Sequence, residues 1–382
     1  MLFRWLSGSA QVANIRRSAV GDMGDTVIGR QLLLGRRAKN FSASFLFVTC
    51  SFLIYRFSPH SAGLRQIWNE GLRTSGTDVL TGGYVAYSLL LLAFYFTEQF
   101  PRESKSIGAL RALRAVVGSP VITVREGLPY QDRLGLLTIL LKGFFAPLMV
   151  LSLFDFTGNM VANGAYVIGH VSAVRTDFLR VFNSHGYWFL FQLILFLDVV
   201  FFTVGYLVEH PALKNEIRSV DPTLLGWAVA VVCYPPFNGV VGQILGWRSA
   251  EFPHFANPVV HVAIGSSLLL LMAIYASASV ALNLKASNLT HRGIISHGPY
   301  RFVRHPAYMC KNLAWWLGAT PAILEAWERS SWSAVAVAGS VGAWTAVYAL
   351  RALTEEDHLK KVDGEYEAYC RKVPYRFVPG VY

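Results

Sequence analysis

Apolar stretches recur along the whole of this 382-residue chain, near residues 42–57, 79–98, 134–157, 187–208, 223–246, 259–284, 310–326 and 332–350. A helix needs about 20 residues to cross the ~30 Å hydrocarbon core, and most of these runs come close to that length. Composition agrees. Hydrophobic residues make up 53% of the chain and charged residues 15%, against about 25% charged in soluble domains. The expectation is an all-α polytopic transmembrane helical bundle of about eight membrane segments. The first and seventh stretches are short, and Pro321 and Glu325 interrupt the seventh. Residues 310–350 therefore read as a helical hairpin near the C-terminus, whose first arm need not cross fully.

The charge between these stretches is basic and unevenly placed. The net charge is +11. Residues 1–40 carry Arg4, Arg16, Arg17, Arg30, Arg36, Arg37 and Lys39 against Asp22 and Asp25. No apolar core with a cleavage site precedes them, so a basic cytoplasmic arm over residues 1–41 fits better than a secretory signal; an organellar transit peptide is the other reading. Loop 99–133 holds six basic residues, loop 285–312 five and the tail six, and with alternating spans all three share the side of the N-terminus. The expectation is cytoplasmic termini in a multi-pass protein of a bacterial inner membrane, with the endoplasmic reticulum as alternative. Because the basic residues alternate with spans and form no single stripe, nucleic acid is not an expected partner. Cys50, Cys233, Cys310 and Cys370 form no CxxC pair and have no zinc spacing with histidine, so neither a disulfide framework nor a metal is expected.

Some polar residues fall inside apolar runs. Lys142 and Asp198 are expensive at membrane depth and are expected to pair with each other. In Cys233-Tyr-Pro-Pro-Phe-Asn-Gly239 two prolines break the helical ladder. Such a break is either a packing kink or a wall of a cavity, since irregular backbone at depth must be covered.

Two polar clusters remain. The first runs from Asn288 to Tyr308 and contains His297-Gly-Pro-Tyr-Arg-Phe-Val-Arg-His-Pro-Ala-Tyr308. Its glycines and Pro299 permit tight turns. Arg304 and His305 are donors suited to a carboxylate or phosphate, and Pro306 favours a helix start. The second cluster is Arg351-Ala-Leu-Thr-Glu-Glu-Asp-His358. Arg351 and Glu355 share a helical face, which suits either a cation site or a plain ion pair at a solvated helix end. Between the clusters the chain is long enough to enter a membrane and return, so both are expected to meet on one face as a ligand site.

The run HGPYRFVRHPAY, followed by Arg351-x-x-x-Glu355-Glu356 and the tail Glu365-Tyr-Glu-Ala-Tyr369, resembles the integral-membrane methyltransferases that include isoprenylcysteine carboxyl methyltransferase and the phospholipid methyltransferases. The resemblance covers roughly residues 285–382. It implies S-adenosylmethionine as cofactor and a lipophilic acceptor drawn from the bilayer. Carried over, it implies that Arg292, Gly293, Ile294, Ile295 and Tyr300 line the cofactor pocket. Arg304 and His305, with Pro306, Ala307 and Tyr308, would hold the methionine end. Glu355, with Glu356 beside it, would take the cofactor's amino or ribose groups, and Arg351 would orient the acceptor. Arg351 and Glu355 are the expected catalytic pair. A carboxylate acceptor needs no general base; for a thiol or amine, Glu356 and His358 are the candidates.

The final run Cys370-Arg-Lys-Val-Pro-Tyr-Arg-Phe-Val-Pro-Gly-Val-Tyr382 is similar instead to the tail of membrane sterol reductases. That keeps an NADPH-dependent reductase of a sterol-like or isoprenoid double bond as the alternative function. A non-catalytic membrane protein of the same fold is the second alternative. The expected division is a basic arm (1–41), a membrane scaffold (42–258) and a catalytic region (259–382).

Overall fold

The computed structural model describes residues 27–68, 73–97 and 102–381. Residues 1–26 of the expected basic arm lie outside the described residues. Almost everything described is helix, as an apolar chain that must satisfy its own backbone requires. The long elements are α1 (Val27–Arg56), α2 (Gly76–Thr97), α3 (Lys105–Gly118), α4 (Tyr130–Gly169), α5 (Tyr187–Leu207), α6 (Leu224–Val231), α7 (Phe237–Ile244), α8 (Pro258–Leu282), α9 (Pro306–Arg329), α10 (Ser331–Val362) and α11 (Tyr366–Lys372). Six helical stretches among the described residues are long and apolar enough to cross a membrane: Gly29–Arg56, Gly76–Thr97, Tyr130–Gly169, Phe178–Leu207, Pro258–Lys285 and Ser331–Val362. The molecule is an all-α polytopic membrane bundle.

Three expected stretches take a different form. The first span, expected from residue 42, belongs to a helix that starts at Val27; its basic residues are good helix formers and simply continue it. Stretch 223–246 is two eight-residue helices, α6 and α7, separated by a break at the double proline. Stretch 310–326 lies inside α9, a 24-residue helix. Ser330 alone joins α9 to α10; its side chain accepts from Ser333 N and caps α10, a standard reason for a helix to begin there.

The described residues divide into two compact units: those up to residue 52 with those of 82–139, and those of 53–81 with those from 140 on. In the first, polar groups tie apolar helices together. Asn40 is fully buried; its Nδ2 donates to Arg102 O at 2.7 Å and its Oδ1 accepts from Ser104 N at 3.0 Å. Ser44 lies 2.8 Å from the Tyr95 hydroxyl and 2.9 Å from the Ser106 hydroxyl. Arg111 donates from Nε to Asp132 at 2.9 Å.

The second unit contains the rest. A short ribbon, β1 (Arg65–Ile67) with β2 (Arg73–Ser75), is antiparallel. Phe182, Tyr187, Phe191, Leu268, Met272 and Ala314 form a core from the turn before α5 and from α5, α8 and α9. The expected Lys142–Asp198 pair does not form. Lys142 pairs with Glu209 at 2.9 Å. Asp198 instead accepts from Tyr275 at 2.9 Å and from Ser279, both on α8. The reason is that Asp198, more than two turns from the end of α5, faces the hydroxyls of α8. Glu209 lies just past that end, where a long lysine side chain reaches it.

A second antiparallel ribbon, β3 (Ser219–Val220) with β4 (Thr290–His291), stitches the loop after α5 to the loop after α8. Gly205 allows this. A Cβ there would stand 2.1 Å from Ala286 O, so only glycine lets the loop run against α5. The two polar loops are thereby held together beside the C-terminal end of α10.

Candidate functional site

A cavity of about 200 Å³ opens where α8, α9, α10, the β3–β4 ribbon and α11 meet. Of the residues expected at the site, Arg292, Gly293, Ile294, Ile295, Tyr300, Arg304, His305, Ala307, Tyr308, Arg351 and Glu355 line it. Pro306 and Glu356 do not. Pro306 opens α9 immediately after His305, where a missing N–H costs nothing. Both polar clusters thus reach one chamber, though about fifty residues separate them along the chain.

Arg351 is the centre of the α9–α10 wall. It is 4% exposed. Its Nε donates to Glu355 at 3.3 Å, one helical turn on, and its Nη2 donates to Asn288 Oδ1. The guanidinium lies over three tyrosine rings, 5.0 Å from Tyr308, 5.8 Å from Tyr348 and 5.9 Å from Tyr234. Aromatic faces attract cations most strongly when water is excluded. Glu355 also accepts from the Tyr308 hydroxyl and lies 3.9 Å from His305 Nδ1. Tyr234 comes from the proline-broken segment, so that break forms part of the cavity wall. Burial and the neighbouring Glu355 charge hold the Tyr300 phenol far above its ordinary pKa, so it stays neutral at any working pH.

Glu356 faces elsewhere. It is 1% exposed and accepts from Arg304 Nε at 2.8 Å, and lies 3.1 Å from both His305 Nε2 and Arg376 Nε. Arg304 Nη1 donates in addition to the carbonyls of Val373 and Pro374. Successive helical residues differ by about 100° in direction, so adjacent acids on α10 serve different neighbours. Glu355 serves the cavity and Glu356 clamps the tail. The tail also pairs with the motif directly: Arg304 N donates to Tyr375 O and His305 N to Arg376 O, each at 2.9 Å. Tyr366, Tyr369 and Val373 pack on Ile294 and Leu359. His358 lines the cavity too, with Nε2 3.0 Å from Ser219 Oγ.

Sequence reasoning did not single out Lys285, Asp221, Tyr275, Lys311 or Tyr348, all of which line the cavity. Lys311 holds its ammonium 5.4–5.7 Å from the rings of Trp315, Tyr348 and Tyr275. Its place in the basic loop-to-helix motif was the available signal. No group of three or more histidines, cysteines or acids with metal-site geometry occurs among the described residues.

A buried ion pair and aromatic faces thus line a cavity beside the α9–α10 hairpin of a membrane protein. Residues 259–361, which run from α8 through the RHPAY turn to the end of α10, match the model of the isoprenylcysteine carboxyl methyltransferase (ICMT) family. This region of the chain is similar to the membrane methyltransferases of that family. No curated protein and no solved structure matches the chain.

Proposed function

We propose that this protein transfers a methyl group from S-adenosylmethionine to a lipophilic acceptor that enters the cavity laterally from the bilayer. The observation that carries the reading is the wall built from Arg351, Glu355, Tyr308 and Tyr348, inside the family-matched residues and facing the cavity. The donor set suits the cofactor. Glu355 is an acid for its ammonium, His305 a donor for its carboxylate, and the tyrosine faces already carry one cation in Arg351. When bound, S-adenosylmethionine supplies a methyl group made electrophilic by its sulfonium.

The chain's own residues would act by placement. Tyr300 and Tyr308 line the cofactor chamber with neutral rings that exclude water. Arg351, fixed by Glu355 and Asn288, presents a charge of set direction to an acceptor carboxylate, which then needs no base. Orientation of this kind is worth several orders of magnitude in rate. Arg304 acts as a positioning residue in this reading: bonded to Glu356 and to tail carbonyls, it locks the tail over the motif. Glu356 shares that role and is too enclosed by cations to serve as a base. The same reading places the cavity mouth on the cytoplasmic face.

Calorimetry on detergent-purified protein, with S-adenosylhomocysteine and NADPH side by side, tests this. Binding of S-adenosylhomocysteine, weakened at least tenfold by His305→Ala and Glu355→Ala, is the expected result. Binding of NADPH alone would overturn the reading in favour of reduction.

A further inference from the structure

At the β3–β4 rim of the same cavity three basic side chains, Arg292, Lys285 and Arg218, come close to Gly293 or line the cavity beside it. Arg292 is 3% exposed and lines the cavity. Its Nη1 donates to Asn215 O at 2.9 Å, but its Nε and Nη2 have no hydrogen-bond partner. A buried guanidinium with unused donors is costly to keep. Glu209 is the acid that acts on Arg292, yet its carboxylate is held by Lys142 Nζ and Ile217 N, each at 2.9 Å.

Two more cations converge on the next residue. Gly293 has φ +100°, and a Cβ there would lie 3.2 Å from Lys285 Nζ and 3.9 Å from Arg218 Cζ. Lys285 lines the cavity, and the side chains whose charge it feels are Arg218 and Lys214, both positive. Asp363, on the neighbouring end of α10, faces His291 at 2.7 Å. Asp221 also lines the cavity, at the far end of the ribbon beside Val220; its Oδ1 accepts from Thr223, its Oδ2 has no hydrogen-bond partner, and its charge acts on His358.

We propose that Arg292, Lys285 and Arg218 form a phosphate-binding subsite at the rim of the cavity, apart from Arg351, Glu355 and His305, so that Arg292 serves a phosphate and not the cofactor. A phosphate offers several acceptor oxygens and up to two negative charges, which suits a forked guanidinium beside an ammonium. S-adenosylmethionine has no phosphate, so the subsite serves another ligand group. The shared chemistry is a phosphate ester, carried either by a nucleotide or by a lipid headgroup.

The test is calorimetry on the full chain in detergent with two matched pairs of probes. One pair is adenosine 2′,5′-bisphosphate and adenosine; the other is dihexanoyl phosphatidic acid and dihexanoylglycerol. The expected result is that one phosphorylated probe binds at least about tenfold tighter than its phosphate-free partner. Which pair shows the gain names the source. The variant carrying Arg218→Gln and Lys285→Gln should lose the gain, while S-adenosylhomocysteine affinity changes less than about threefold. Lys285→Gln alone, at a partly exposed side chain, serves if the double variant does not fold, and Lys285→Arg should keep the gain. Equal binding within both pairs, or a gain that survives the variants, overturns the subsite. So does a parallel fall in S-adenosylhomocysteine affinity, which would mean that the cluster holds the cofactor carboxylate. Failure of S-adenosylhomocysteine to bind at all would defeat the methyl-transfer reading and leave the phosphate result standing.

Discussion

On the α9–α10 side of the cavity, Arg351 has Glu355, Asn288 and three tyrosine rings around it. At the β3–β4 rim, Arg292 has one carbonyl and two unused nitrogens. Both guanidiniums are buried to nearly the same degree. The first is complete without a ligand, so it can direct chemistry without moving. The second is incomplete, and burial without partners is tolerated only where something restores the balance. The comparison teaches that equal burial of equal groups marks different tasks, and that the partners decide which.

The largest effect should come from breaking the complete side. Arg351→Ala leaves the largely buried Glu355 carboxylate without its guanidinium, and removal of one member of a buried pair costs about 3–5 kcal/mol, an upper bound here because the Glu355 side chain is 24% exposed. Chemical denaturation in detergent should show a loss of up to that size together with loss of S-adenosylhomocysteine binding. An unchanged midpoint would mean that water reaches Arg351 freely.

Glu356→Gln comes next, because it removes the charge that Arg304, His305 and Arg376 share. A loss of about 2–4 kcal/mol is expected, with protease cleavage appearing first in the 370–381 tail. If cleavage sites and rates stay as in the parent, Glu356 does not hold the tail.

The rim can be sharpened by pH. Burial lowers the pKa of His291, against the pull of Asp363. The neutral ring is favoured in the fold, so its contribution is complete above the ordinary histidine pKa of about 6.5 and is lost as pH falls below it. Melting temperatures should decline from pH 7 towards 5, and His291→Gln should flatten that slope. A steeper decline in the variant would mean that the fold favours the charged ring of His291.

The smallest effect is expected at Asp198→Asn. The amide oxygen can keep accepting from Tyr275 or Ser279, so stability should change by less than about 1 kcal/mol, whereas Asp198→Ala should cost about 1–3 kcal/mol. Similar losses in both variants would mean that the charge itself matters, through Lys311.

Much of the site was legible along the chain. The spacing of Arg351 and Glu355 on one face and the Arg304-His305-Pro306 turn at a helix start are local facts, set by 3.6 residues per turn and by proline's fixed geometry. Lys285, Tyr275 and Tyr348 were not legible as cavity residues. None has a partner at a recognisable spacing, and only the packing of α8 against α9 and α10 brings them together. The two glutamates illustrate the boundary. Their adjacency showed that acids gather here, but one of them turns to Tyr308 and the other to Arg376.

What the sequence by itself determined is the helical membrane architecture and the meeting of its two polar clusters, Asn288–Tyr308 and Arg351–His358. Backbone that must bond internally across an apolar layer leaves little choice, and the lengths of the apolar runs set where the chain turns back. The tertiary structure alone decided the charge partners: Lys142 with Glu209, Asp198 with hydroxyls, Glu356 with the tail, and Arg292 with too few. Pairing depends on the rotation and depth of each helix, and these follow from side-chain packing between segments distant in sequence, which periodicity within one segment does not encode.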